Sequence, residues 1–177
     1  HLSRSMGFSA AIPGAPVESL RAYPDLSTGL NEIARGLVRM FPHKRKFAYL
    51  RGGGLNFEPL VQSLSIEGMQ AEPLDIKDLA QSADWLANLS KDCLMFLDVI
   101  DDPMTGEVFE IEKLRAELVA KRIFTLSISY NFHLCRDLPP INQYGAYFMN
   151  VSDQIAVARI DERLERIRRV LEQFLVN

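Results

Sequence analysis

Cysteine, histidine, long apolar runs and late lysines are all scarce here, and each shortage closes off a class of protein. Two cysteines, Cys93 and Cys135, form no CxxC pair, and three histidines do not complete a zinc-ligand spacing. No structural metal is expected, and the thiols read as the reduced pair of a cytoplasmic protein. No apolar run reaches the roughly 20 residues of a membrane-spanning helix, so no membrane partner is expected. Neither sign of charge dominates. Twenty Lys and Arg stand against 23 Asp and Glu, a net charge of −3, so no global field exists to hold nucleic acid or anionic lipid.

Catalytic signatures are missing as well. There is no nucleophile elbow of the G-x-S-x-G type, and His133 and Cys135, two residues apart, are not a catalytic pair by spacing. "RGGG", Arg51 to Gly54, is followed by Leu55 and Asn56 where a P-loop needs Lys and then Ser or Thr, and it does not match the dinucleotide fingerprint. No lysine follows Lys121.

What is present is an alternation. Across 177 residues, 47% of them hydrophobic, strand-like apolar runs alternate with helical patterns from Lys46 onward, which predicts βαβ units. The expected fold class is α/β, a three-layer α/β/α domain with a mainly parallel central sheet. Residues 1–22 read as an irregular lead-in without a targeting role, and residues 23–177 as a single domain. Strands are predicted over "KFAYL" (Lys46–Leu50), "MQAEPL" (Met69–Leu74), "CLMFLDVI" (Cys93–Ile100), "IFTLSIS" (Ile123–Ser129), "YGAYFMNV" and "IAVARI". The run from Cys93 to Ile100 has the continuous apolarity of a central parallel strand buried on both faces.

Helices are predicted over Leu55–Ile66, Asp75–Leu89 and Glu107–Lys121. In the last of these, Val108, Ile111, Leu114, Leu118 and Val119 point inward, and Glu107 and Glu110 complement the dipole of the first turn. The closing "DERLERIRRVLEQFL" has one apolar face, through Ile160, Leu164, Ile167 and Phe174, suited to docking on the domain or to self-association. "HKRK", His43 to Lys46, reads as a solvated basic face at a helix end.

In "DLSTGLNEIARGLVRMF", Ser27, Thr28 and Gly29 precede an amphipathic helix. Backbone amides at a helix start attract an anion, so a phosphate suits that place, but Ser or Thr before a helix is most often only an N-cap.

Read in order, these pieces resemble the large domain of fold-type I pyridoxal-phosphate-dependent aminotransferases, over about Tyr23 to Ile160. "STGLNEIARGLVRMF" is similar to the family's phosphate-cup turn and helix, "DCLMFLDVIDDPMTGEVFEIEKLRAEL" to the strand leading into its Asn-Pro-Thr-Gly turn, and "IFTLSISYNF" to the strand ending in Asp-Glu-x-Tyr. The resemblance implies remnant cofactor contacts at Ser27, Thr28, Gly29 and Tyr130, with Arg159 loosely at the place of the Arg that follows the cofactor lysine. It also implies losses. Pro103 stands for the turn's Asn, Ser127 for the Asp that pairs with the pyridine nitrogen, and Asp153 or Gln154 for the Schiff-base lysine. Without that amine, covalent attachment of the cofactor has no route.

The resulting expectation is a catalytically inactive, aminotransferase-like module that binds a protein partner, itself included as a homodimer. It would hold no cofactor, or pyridoxal phosphate only noncovalently. Two alternatives stand beside it. One is a transferase or lyase holding a phosphorylated ligand noncovalently. The other is a degenerate receiver-like signalling domain, since Asp98, Pro103, Met104 and Gly106 mimic a receiver's strand-ending Asp and the turn after it.

Overall fold

The computed structural model describes residues 20–130, 145–152 and 155–160. Seven strands form one sheet: β1 (Leu20–Tyr23), β2 (Lys46–Arg51), β3 (Gln70–Asp75), β4 (Cys93–Val99), β5 (Phe124–Ser129), β6 (Gly145–Ser152) and β7 (Ile155–Ile160). Their order is β1-β7-β6-β5-β4-β2-β3. The run β3-β2-β4-β5-β6 is parallel, and β7 pairs antiparallel with both β6 and β1. Six strands therefore share one direction and β7 alone opposes them.

Helices cover both faces. On one side lie α1 (Leu26–Met40) and α2 (Glu58–Ile66), whose Leu30, Ile33, Leu37, Leu60 and Leu64 pack on Phe47, Met95, Leu97, Leu126 and Phe148 of the sheet. On the other lie α3 (Ser82–Ala87) and α4 (Glu112–Ala120), whose Leu86, Leu114 and Leu118 pack on Ala48, Leu50, Leu74 and Phe96. This is the expected three-layer α/β/α arrangement. All seven residues of β4 are buried, as its unbroken apolar run requires of a strand covered on both faces. Full burial of a side chain such as Phe96 or Leu97 stabilises the fold by about 1.5–3 kcal/mol.

Several boundaries differ from the sequence reading, each for a reason visible in the pairing or the packing. β1 takes Leu20 to Ala22 out of the predicted lead-in, because its four residues pair with Ala156–Arg159 of β7. The helix foreseen from Leu55 starts at Glu58, with Pro59 in the first turn, where a missing N–H costs nothing. The helix foreseen over Asp75–Leu89 is a 3₁₀ helix, Ile76–Gln81, followed by the short α3. The helix foreseen from Glu107 begins only at Glu112, so Glu107 and Glu110 lie outside its first turn, and Val108 is 54% exposed rather than inward. The predicted closing helix, and with it Leu164, Ile167 and Phe174, lies outside the described residues. Among those described, no helix is long and apolar enough to cross a membrane.

Candidate functional site

Six co-directional strands bring their C-terminal ends to one edge of the sheet, the edge where open α/β sheets bind ligands. The N-terminus of α1, the Arg51–Gly54 turn, the Asp101–Phe109 segment and Tyr130 all gather there.

At α1 the sequence placed Ser27, Thr28 and Gly29 before the helix, but the structure places them inside its first turn. Asp25 is the N-cap, with extended backbone (φ −157°), and its carboxylate accepts from the Thr28 amide at 2.7 Å and from Thr28 Oγ1 at 3.0 Å. That is the N-cap arrangement, which satisfies one of the helix's orphan donors. Ser27 and Thr28 are exposed, and the Ser27 carbonyl accepts from Asn31 Nδ2 at 2.9 Å. Gly29 is buried for a different reason. A Cβ there would come 2.7 Å from Cδ2 of the Tyr23 ring, so glycine lets the ring lie flat on the helix. An anion arriving at this turn meets a carboxylate already seated on the Thr28 amide.

Tyr130 follows β5 and is half-buried against the same core as α1. Three strand spacings separate β5 from β1, about 14 Å. Tyr130 thus shares the edge with Ser27–Gly29 without a described contact to them. Its amide donates to Asp101 Oδ1 at 2.8 Å, and burial, then the neighbouring Asp101 charge, raise the phenol's pKa above its ordinary value.

Between them runs "DDPMTGEVF". Asp102 Oδ1 accepts from the Met104 and Thr105 amides at 2.7 and 3.0 Å, and the Gly106 amide donates to the Asp102 carbonyl, with Gly106 at φ 74°. The polar side chain of the turn is therefore Asp102, the residue before Pro103, and it faces its own backbone. Next, Asp102 N donates to the Glu107 carbonyl, Asp101 bridges Val108, and Phe109 N donates to the Ile100 carbonyl. Held along the sheet edge by these bonds, residues 107–109 cannot enter a helix. The "RGGG" turn presses on the same loop. Gly53, at φ 56°, faces Ile76, and a Cβ on Gly54 would lie 2.9 Å from Met104 Cγ. The glycine run serves close packing.

A charged cluster lies beneath the edge. Asp98 of β4, Ser127 of β5 and Tyr147 of β6 are in register side by side and fully buried. Asp98 Oδ1 accepts from Arg115 Nη2 at 2.6 Å, Oδ2 from Arg115 Nε at 3.4 Å and from Ser127 Oγ at 3.0 Å. Burial on its own would lower the pKa of Arg115, but the charge and hydrogen bonds of Asp98 outweigh it and raise it. Ser127, which the sequence placed at the position of a cofactor-binding Asp, thus has a carboxylate beside it on the next strand, fixed by a guanidinium. Sequence reasoning took Asp98 for a receiver-like acceptor and passed over Arg115. An acceptor must meet solvent, and Asp98 is 0% exposed. The inner strand order also matches a receiver's, yet β7 and β1 extend the sheet beyond it.

The remaining candidates lie elsewhere. In the His43–Lys46 cluster at the opposite edge, Lys44 Nζ donates to the Lys91 carbonyl and Lys46 faces Glu72 at 3.6 Å. Arg159 sits in β7, in register with Tyr147. His133, Cys135, Asp153 and Gln154 lie outside the described residues. No cluster of metal-ligating side chains occurs among the described residues.

No family model and no curated protein matches this sequence. Solved structures do. A cysteine desulfurase from Thermococcus onnurineus superposes with a TM-score of 0.68 at 15% identity, covering 93% of this chain and 43% of its own. An aromatic aminotransferase from Pyrococcus horikoshii gives 0.68 at 9% identity, covering 99% and 51%, and an aminotransferase from Neisseria meningitidis 0.67 at 8%, covering 97% and 49%. The chain spans about half the length of these enzymes, and its fold is that of fold-type I pyridoxal-phosphate-dependent enzymes.

Proposed function

We propose that this chain is a catalytically inactive, aminotransferase-like module, cytoplasmic, that acts by binding a protein partner, a second copy of itself included. The observation that carries the reading is the Asp25 carboxylate on the Thr28 amide at 2.7 Å, a negative group where the resemblance would seat a phosphate. Pyridoxal phosphate does not fit this edge. The cup's amide is capped by an acid, Gly29 is covered by the Tyr23 ring, and Asp153 or Gln154 stands where the resemblance puts the Schiff-base lysine. The acid nearest Ser127, Asp98, is buried and tied to Arg115. What persists is the packed sheet and its surfaces, which supports retention of the fold for recognition.

The exposure of Ser27 and Thr28 favours a second reading, noncovalent capture of a phosphorylated ligand at that turn. Titration with pyridoxal phosphate separates the two. The module reading expects no aldimine absorbance, no stoichiometric adduct after borohydride reduction, and no calorimetric heat with pyridoxal or pyridoxamine phosphate. A stoichiometric adduct, or a heat abolished by Thr28→Glu, overturns it. Sedimentation over a range of concentrations reads self-association.

A further inference from the structure

On the α3–α4 side of the sheet a groove of about 630 Å³ opens between the 3₁₀ helix with α3 and the start of α4. Its apolar floor is made by Leu79, Val108, Phe109 and Leu114, and Val108 is one of the few large apolar side chains left more than half exposed among the described residues. Its rim is acidic. Glu110, Glu112 and Glu117 border it against the single cation Lys113, and all four are exposed. Glu112 feels the buried Arg115, whereas Glu110 and Glu117 have no ion-pair partner among the described residues.

The groove exists because residues 107–109 run along the sheet edge. Had the helix begun at Glu107, Val108 would have turned into the core. Instead the segment holds Val108 and Phe109 beside α3 and leaves a trough under them. Glu112 and Glu117 are five residues apart on α4, about 7.5 Å along its axis. Carboxylates strung out in this way match charges repeated along a chain better than the single charge of a small ligand. An apolar floor flanked by acids is the complement of an amphipathic helix with Lys or Arg beside its apolar stripe.

We propose that this groove docks a basic amphipathic helical segment of a partner protein. The proposal rests on the partner-binding reading above and gives that reading a surface. The probe is a fluorescent Leu/Lys peptide of about 18 residues, long enough to form the helix. A control carries Glu in place of every Lys, and binding is followed by anisotropy at low and at raised salt. The wild type should bind the Lys peptide, more weakly as salt rises, and ignore the Glu peptide. Because Glu110, Glu117 and Val108 are exposed, Glu110→Lys/Glu117→Lys and Val108→Ser should fold, as circular dichroism will check. Each should weaken binding by about tenfold or more, while Arg39→Gln on α1, on the other face of the sheet, leaves it unchanged.

Equal binding of both peptides, or undiminished binding by the charge-reversed variant, overturns the proposal. Self-association of the wild type that disappears in Glu110→Lys/Glu117→Lys overturns it in favour of a second copy in the groove. If the peptide fails while the pyridoxal phosphate titration stays silent, the groove is wrong and the module reading stands. A cofactor adduct removes the module reading whatever the peptide does.

Discussion

Replacing Arg115 by Met tests whether the buried pair is a structural lock. Asp98 is 0% exposed and Arg115 4%, so loss of the guanidinium leaves a carboxylate in the core with the Ser127 hydroxyl as its one remaining described donor, at 3.0 Å. An uncompensated buried charge of this kind costs about 3–5 kcal/mol. A domain of this size holds only about 5–15 kcal/mol in total, so the single variant should lose a large share of its stability. Removing both charges behaves differently. Arg115→Met/Asp98→Leu needs no buried ion and should regain most of the loss, giving a coupling of about 3 kcal/mol in the double-mutant cycle. Urea is the denaturant of choice because it does not screen charge. The only tryptophan, Trp85, whose ring lies 5.7 Å from Phe96, reports the transition. Its slope should stay constant while the midpoint moves. If Arg115→Met costs less than about 1 kcal/mol, or if the two single losses simply add, the pair does not carry the role given to it.

Two further outcomes follow from packing. Gly29→Ala would gain about 0.8–1 kcal/mol from helix propensity alone, but its Cβ would meet the Tyr23 ring at 2.7 Å, so a net loss of about 1–3 kcal/mol is expected in the same urea assay. A stabilised Gly29→Ala would show that the ring does not rest on that helix. Burial, and then the nearby Glu72, push the Cys93 thiol from 9.0 up to about 12. In a Cys135→Ser background it should resist iodoacetamide near pH 8 until the protein unfolds, and rapid alkylation of the native protein would contradict its burial. Because the folded pKa is the raised one, the associated stability is complete below the unfolded value near 9 and is lost as pH climbs toward 12.

Much of the frame was written in local pattern. "CLMFLDVI" announced a strand covered on both faces, and "IAVARI" runs as β7 over the residues foreseen, Ile155–Ile160. What failed was decided at a distance. The acids Glu107 and Glu110 resembled a helix start, yet the bond from Phe109 N to the Ile100 carbonyl and the bridge from Val108 to Asp101 keep that stretch on the sheet until Ile111. β1 carries too few residues for a periodicity. At the candidate site, Ser27, Thr28 and Gly29 were correctly placed near a helix start, but Asp25, a preferred N-cap residue three positions before Thr28, was passed over as the group that occupies its amide. The Asp98–Arg115 pair was within reach. An acid inside an apolar strand needs a partner, and Arg115 shares the apolar face of α4 with Ile111 and Leu118, four residues from one and three from the other.

The pairing of β1 also imposes an order on folding. Leu20 to Tyr23 find their partners only in Arg159 to Ala156, nearly the whole described length away, whereas β2 through β5 pair with strands close in sequence. Closing so long a loop is entropically late, and α1, which contacts β6 and β7, is carried along with it. During synthesis β1 must therefore stay unpaired until β7, more than a hundred residues later, has left the ribosome.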